Sequence, residues 1–215
     1  MGKKIISFAG VKREDLIYYV AKMLATCDMP VLVVDNSYQN ALFRSVWVGE
    51  GSPDAYVRNI TFIKNALYDE QLIADYEWVI VYHGDMINSD WWNVSDDRYL
   101  IVNFERFDME DMAKTIKPNT MENINVVFTA RYSNKVPDKA ILTGMGIAPD
   151  IVQNAFEITT EEDIERMRIS LQYNGIVRLN RLPASMKKVI WGIYKLAMQE
   201  RANKQKMNDV IKQAN

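Results

Sequence analysis

The stretch that decides the fold is residues 3–35, KKIISFAGVKREDLIYYVAKMLATCDMPVLVVD. Its first apolar run, Ile5–Phe8, predicts a short buried strand. A helical pattern follows at residues 16–25, and a second apolar run, Val31–Val34, ends on Asp35. Strand, turn, helix and strand in this order predict a right-handed βαβ unit, which is a common frame for a nucleotide-binding site.

The turn at residues 9–15 lacks the side chains that hold phosphate in a P-loop. Such a loop needs glycines for close backbone approach, a lysine for the β- and γ-phosphates and a Ser or Thr hydroxyl for Mg²⁺. Here Gly10 is the one glycine, and the acidic Glu14 and Asp15 stand where the hydroxyls would be. We therefore expect the frame of a nucleotide site without its chemistry, although Lys12 and Arg13 remain as cations able to contact a phosphate.

Composition is typical of one globular domain. The chain has 215 residues, 48% of them apolar and 25% charged, and its net charge of −2 gives no overall attraction to nucleic acid or an acidic membrane. The single cysteine, Cys27, excludes an internal disulfide framework and is typical of a reducing compartment. No apolar run reaches about eighteen residues, and the first strand begins too early for a signal peptide. We expect a cytoplasmic protein.

Apolar runs alternate with helical patterns along the rest of the chain. Further strands are predicted at 78–82, 99–104, 125–129 and, more weakly, 156–158. Helices are predicted at about 52–75 (with a short strand at 60–63 as the alternative), 109–116, 137–144, 161–173 and 184–212. This alternation predicts an α/β fold, with one mostly parallel central sheet and helices on both faces in three layers. Residues 1–198 are expected to form the domain, and 199–215 a helical extension.

This layout resembles the MinD/ParA family of deviant P-loop ATPases over most of the chain. The family pattern K-G-G-V-G-K-T-T can be laid onto residues 8–15, where Gly10 and Val11 match. The resemblance places the family's phosphate lysine on Arg13, its Mg²⁺ hydroxyl on Glu14 and its metal-binding aspartate on Tyr82. It implies a P-loop NTPase-like fold in which the motif residues have been replaced.

The resemblance also implies where a nucleotide would lie. Asp35 matches an aspartate that helps activate the attacking water in the family, and Arg131 follows the strand whose end meets the adenine. His83 ends a predicted strand, and strand ends are where α/β sheets place ligands. The expected vestigial nucleotide-binding residues are Gly10, Val11, Lys12, Arg13, Asp35, His83 and Arg131. We expect no catalytic residue, no metal ligand and no bound cofactor, with ATP binding weak at most.

Two segments are candidates for a protein interface. Trp91 and Trp92 are adjacent in a polar stretch, where one of them could be exposed as a contact anchor, with packing over the sheet edge as the alternative. Beyond Met198, apolar residues return at helical spacing at Met207 and Ile211. The expected interface residues are therefore Trp91, Trp92, Met207 and Ile211.

The leading functional hypothesis is a catalytically degenerate ATPase-like domain. It would act as an interaction, scaffolding or positioning component of a larger assembly, such as a secretion, pilus or conjugation apparatus, a context that comes from the family resemblance. Two alternatives stay open, namely a nucleotide-switched ATPase that dimerises on ATP and a DNA-partition partner. The expected partner is another protein or a second copy of the chain, with a weak membrane-surface contact by the tail as a further alternative.

Overall fold

The computed structural model describes residues 3–25, 30–45, 55–57, 59–116, 122–131, 136–174 and 178–198. Cys27, Met207 and Ile211 lie outside the described residues, as does the predicted extension 199–215.

The described residues form one eight-stranded sheet. Its strands are β1 (Lys4–Gly10), β2 (Val31–Asp35), β3 (Ala55–Val57), β4 (Ile60–Lys64), β5 (Trp78–Gly84), β6 (Asp97–Val102), β7 (Ile124–Arg131) and β8 (Val152–Thr159). Their spatial order is β3-β4-β2-β5-β1-β6-β7-β8. The seven strands from β4 to β8 in this order are parallel, and β3 pairs antiparallel with β4 at the edge.

Helices cover both faces of the sheet. They are α1 (Glu14–Ala25), α2 (Ala41–Ser45), α3 (Ser89–Val94), α4 (Arg106–Thr115), α5 (Asp138–Gly144), α6 (Glu162–Asn174) and α7 (Ala184–Met198). Apolar side chains of α1, α2, α6 and α7 pack on one face, and those of α3, α4 and α5 pack on the other. The predicted three-layer α/β fold with a mostly parallel sheet is confirmed.

Strand β1 lies at the centre of the parallel sheet. It pairs in parallel with β5 and β6, so that Ile6 is opposite Ile80 on one side and Asp97 on the other. Alternate side chains of β1 enter the cores on opposite faces, with Ile6 on the α1 side and Ile5 on the α3 side. Because both faces are buried, the strand reads as a continuous apolar run, which is why the sequence identifies it.

The helix predicted at residues 52–75 is wrong, because the described part of this segment holds strands β3 and β4, but the short strand given as the alternative at 60–63 is confirmed as β4 (Ile60–Lys64). In β4, buried Ile60 and Phe62 alternate with partly exposed Thr61 and Ile63, which is the two-residue period of a strand. Asn59, with φ of 65°, lies in the turn between β3 and β4 and adopts the left-handed conformation that asparagine tolerates. Turns follow between residues 70 and 75.

The prediction that Trp91 and Trp92 provide an exposed anchor is also wrong, since both side chains are 0% exposed. The Oδ1 atom of Asn88 accepts hydrogen bonds from the backbone of Asp90 and Trp91 and so starts helix α3. Successive residues of a helix point about 100° apart. Trp91 therefore packs over β2 and β5, while Trp92 packs over β6, and the two indoles enter separate apolar clusters on the same sheet face.

Replacing Trp91 with alanine should destabilise the fold. Loss of a fully buried tryptophan removes apolar contacts and leaves a cavity, so we expect the free energy of unfolding to fall by about 3–5 kcal/mol. The matched control is Phe107→Ala on α4, where the side chain is 73% exposed and the change should stay within about 0.5 kcal/mol. Denaturant unfolding of both variants measures the difference, and equal stability of the two would contradict this packing.

Candidate functional site

The candidate site lies at the carboxyl end of β1, where the chain turns into α1. Strand β1 continues to Gly10 and α1 begins at Glu14, so three residues, Val11–Arg13, connect them. A P-loop of the form G-x-x-x-x-G-K-[ST] has four residues between its glycines alone and uses them to wrap phosphate. The connection here takes a direct path from strand to helix.

Gly10 is required by the neighbouring strand. Its φ is 123°, and a Cβ atom at this position would lie 2.0 Å from the carbonyl oxygen of Ile101 on β6. The backbone N–H of Val11 donates to the same oxygen at 3.0 Å. Gly10 and the N–H of Val11 therefore hold the turn close to β6. This contact with β6 gives both positions a structural role that does not involve a phosphate.

The head of α1 is closed by a contact between Tyr82 and Glu14. The Tyr82 hydroxyl lies 3.5 Å from Glu14 Oε1, at the upper end of the hydrogen-bond range, and both residues are buried. Burial, reinforced by the Glu14 carboxylate, raises the pKa of Tyr82, so the phenol stays protonated and donates to Glu14. The two positions at which the resemblance puts magnesium ligands thus contact each other.

Arg13 is held by two carboxylates of the chain itself. Its Nη2 lies 2.8 Å from Asp15 Oδ2 and its Nη1 lies 3.1 Å from Glu165 Oε1 on α6, and the residue is 6% exposed. Burial raises the pKa of Asp15, and the guanidinium of Arg13 opposes that rise. Glu165 also accepts from Nε of Arg168 at 2.9 Å. The arginine expected to meet a phosphate instead ties the head of α1 to α6, while Lys12 beside it is exposed.

Asp35 is occupied in shaping the turn after β2. Its Oδ1 accepts from the backbone N–H and the hydroxyl of Ser37, at 3.0 and 2.5 Å, and its Oδ2 accepts from the N–H of Phe43 at 2.7 Å. Burial raises the pKa of Asp35, and these hydrogen bonds oppose the rise. The geometry therefore gives this carboxylate a structural role in positioning α2.

His83 lies on the opposite sheet face from Glu14 and Tyr82, under α3. Its Nδ1 accepts from the N–H of Asn88 at 3.1 Å, which places the ring proton on Nε2, 3.0 Å from Ser7 Oγ. The chain of hydrogen bonds continues from Ser7 to Ser95 Oγ and from Ser95 to the carbonyl of Trp91, each at 2.7 Å. Burial lowers the pKa of His83 to about 3, so the imidazole is neutral.

The geometry thus brings Gly10, Val11, Lys12 and Arg13 together at the head of α1 and leaves His83 away from them. Arg131 ends β7, and its side chain lies outside what the structure describes. Sequence reasoning did not select Glu165 or Ser7 as site residues. Ser7 could have been selected from the sequence, because it is the one hydroxyl within the apolar run Ile5–Phe8. Glu165 carried none, because its contact joins residues 152 positions apart.

Within the described ranges, no group of three or more His, Cys, Asp or Glu residues is placed to hold a metal ion. None of the helices that the structure describes combines the length and apolar character needed to cross a membrane.

No protein-family model and no curated protein matches the sequence, but solved structures do. A ParA family ATPase from Chlorobium tepidum TLS is 14% identical with a TM-score of 0.62, over 90% of this chain and 100% of that one. The MinC:MinD cell division protein complex of Aquifex aeolicus is 13% identical with a TM-score of 0.64, over 94% of this chain and 98% of that one. A putative plasmid partition protein from Borrelia burgdorferi B31 bound to AMPPNP is 15% identical with a TM-score of 0.58, over 91% of this chain and 99% of that one. At such identities the likeness shows the fold, so the resemblance to MinD/ParA ATPases is confirmed for the fold.

The depressed pKa of His83 should appear in the pH dependence of stability. The unfolded chain protonates this histidine near pH 6.5 and the folded chain near pH 3, so the unfolded state binds more protons between these values. Stability from the neutral imidazole is therefore present above pH 6.5 and is lost as pH falls toward 3, by about 1.4 kcal/mol per pH unit.

The variant His83→Gln isolates this effect, because glutamine cannot titrate. We expect the wild type to be the more stable protein at pH 7, and its advantage in free energy of unfolding to shrink between pH 6.5 and 4. Urea unfolding of both proteins across this range is the measurement. An advantage that stays constant with pH would mean that His83 is not held neutral.

Proposed function

We propose that this chain is a catalytically degenerate ATPase-like domain that works through protein contacts, as a scaffolding or positioning component of a larger assembly of the secretion, pilus or conjugation type. The observation that carries the proposal is the contact of the Tyr82 hydroxyl with Glu14 at the head of α1.

Phosphoryl transfer depends on a metal ion and on positioning of the phosphates together. At the head of α1, a phenol and a carboxylate face each other where the family resemblance puts the metal ligands. A phosphate oxygen about 4 Å from the Glu14 carboxylate would be repelled by about 4 kcal/mol at an effective dielectric constant of 20. The positive charge of Arg13 is already shared between the carboxylates of Asp15 and Glu165, so it offsets this repulsion only in part.

A role in protein contacts is supported by exposed apolar side chains at the carboxyl edge of the sheet. Tyr38, Leu67 and Met86 are 72%, 73% and 63% exposed, and they lie in the loops that follow β2, β4 and β5. These three strands are neighbours, and a hydrogen bond of 3.1 Å from Asn36 Nδ2 to the carbonyl of Ala66 joins the first two loops. We call this surface, Tyr38, Leu67 and Met86, the apolar edge. Contiguous exposed apolar patches mark protein-binding surfaces, and we infer that the loops after these neighbouring strands bring the three side chains into one patch.

The structural neighbours are consistent with more than one role. The MinC:MinD complex is an assembly of a related fold with a second protein, and it supports a partner-binding role here. The Borrelia protein was bound to AMPPNP, and it supports the alternative of a nucleotide-switched ATPase. The two hypotheses differ in whether Arg13 meets a nucleotide.

Wild type and Arg13→Ala should therefore respond alike to ATP–Mg²⁺. A nucleotide held by Arg13 at a hundred times its Kd would add about 2.7 kcal/mol of stability to the wild type alone. We expect equal shifts of melting temperature in the two proteins at millimolar ATP–Mg²⁺, and no phosphate release above the background rate. Arg13→Ala should have the lower melting temperature without ligand, because it leaves Asp15 buried without its ion pair. An ATP-induced shift seen in the wild type and abolished by Arg13→Ala would establish the nucleotide-switched alternative.

Substitution in the apolar edge should weaken partner binding and leave the fold intact. We expect Leu67→Asp to lose at least about tenfold in affinity for the protein partner. The partner would bury position 67 on binding, and the introduced carboxylate would then have to be desolvated. The control is Phe107→Asp, equally exposed on α4, at a helix start that tolerates an acid. Site-specific crosslinking in the native host, followed by titration of the partner it identifies, gives the affinity. Retention of full affinity in Leu67→Asp would remove the apolar edge from the proposal.

A further inference from the structure

A second concave site lies between α2 and α6, away from the head of α1. The cleft has a volume of about 760 Å³, within the range of about 300–1,000 Å³ that is common for ligand sites. Its lining consists of three groups of side chains, which are Gln39, Asn40, Phe43 and Arg44 in and before α2, Lys64 at the end of β4, and Gln172 and Tyr173 at the end of α6. It opens at the carboxyl ends of β2 and β4, the side on which parallel α/β sheets place ligands.

The charge of the cleft favours an anion. Arg44 and Lys64 both line it, and among the residues that the structure describes no acidic side chain does so. In the part of the chain that the structure describes, no carboxylate lies within ion-pair distance of either cation. The Lys64 side chain is exposed, and its ammonium lies 4.6 Å from the centroid of the Phe43 ring, a cation–π contact within the lining of the cleft.

The remaining lining side chains fit a ligand with a planar ring. Tyr173 is 82% exposed at the rim, and its ring offers a flat apolar surface on which an aromatic group can stack. The amides of Gln39, Asn40 and Gln172 supply hydrogen-bond donors and acceptors around it. Two cations, an aromatic ring and three amides are together able to bind a phosphorylated ligand that also carries an aromatic ring.

The backbone of the cleft wall is held in an uncommon conformation. Gln39 and Asn40 have φ values of 61° and 51°, and Asn65 next to Lys64 has φ of 53°. For Gln39 the left-handed conformation costs roughly 1–2 kcal/mol. The hydrogen bonds of the Asp35 carboxylate on either side of residues 38–42 hold the segment in place. Strained residues that the surrounding structure maintains are concentrated at ligand sites.

We propose that the cleft between α2 and α6 binds a small phosphorylated ligand with a planar ring, of the size of a nucleoside monophosphate. Its phosphate lies against Arg44 and Lys64, and its ring lies against Tyr173. This proposal does not depend on the proposed function, because it uses none of the residues at the head of α1.

The test is calorimetric titration of the full chain with AMP, and with ribose 5-phosphate, which carries the same phosphate group on the same sugar but lacks the aromatic base. We expect AMP to bind, and Arg44→Gln and Lys64→Met each to weaken binding at least tenfold. Methionine keeps the aliphatic stem over Phe43 and removes only the charge. Arg106→Gln is the matched control, since Arg106 is an exposed arginine on α4 whose partner is Glu110. Tyr173→Ala should weaken AMP binding and leave ribose 5-phosphate binding unchanged.

Circular dichroism and melting curves check that each variant is folded, and Arg44→Gln decides the outcome if Lys64→Met proves unstable. The proposal is overturned if millimolar AMP gives no binding heat with the wild type. It is equally overturned if Arg44→Gln binds AMP as the wild type does, or if binding is lost in Arg13→Ala but kept in Arg44→Gln, which would place the nucleotide at the head of α1.

Discussion

The arrangement of the site depends on one contact, between the carboxylate of Glu14 and the hydroxyl of Tyr82. The N-terminus of a helix attracts negative charge, and here the chain supplies that charge itself. Arg13, next to Glu14 in the chain, pairs with the carboxylates of Asp15 and Glu165. The ion pair of Arg13 with Glu165 connects the start of α6 to the head of α1. The other end of α6 contacts α2 and lines the second cleft.

On the sheet face covered by α3, a chain of buried hydrogen bonds takes the place that the Arg13 ion pairs have on the α1 face. Ser7, His83 and Ser95 are fully or almost fully buried and are joined by hydrogen bonds that end at the carbonyl of Trp91. These hydrogen bonds run under α3, and the two indoles of that helix pack into separate apolar clusters. Since each polar atom in the chain of hydrogen bonds needs its partner, the network fixes the orientation of α3 more narrowly than apolar packing alone would.

The parts of the fold that the sequence predicts are those determined by local pattern. Strands β1 and β2 are buried on both faces and read as apolar runs, so the βαβ unit is visible from the sequence. The alternative of a short strand at 60–63 was correct, but residues 70–75 were wrongly assigned to a helix because these turns have a composition compatible with a helix. Trp91 and Trp92 were misread because their burial depends on the Asn88 cap and on where α3 sits over the sheet. The site is less predictable still, because the contacts of Glu14 with Tyr82 and of Arg13 with Glu165 span 68 and 152 positions.

The ion pairs and hydrogen bond at the head of α1 also bear on how such a domain can change over evolutionary time. A single replacement that introduced a hydroxyl at position 14 would leave the Tyr82 phenol without its acceptor, and a lysine at position 13 could not bridge Asp15 and Glu165 in the same two-pronged way. Each of these replacements removes a buried contact and should therefore lower the stability of the fold. Because the contacts join residues 13–15 to Tyr82 and Glu165, the residue tolerated in any one of these three segments depends on the residues in the other two.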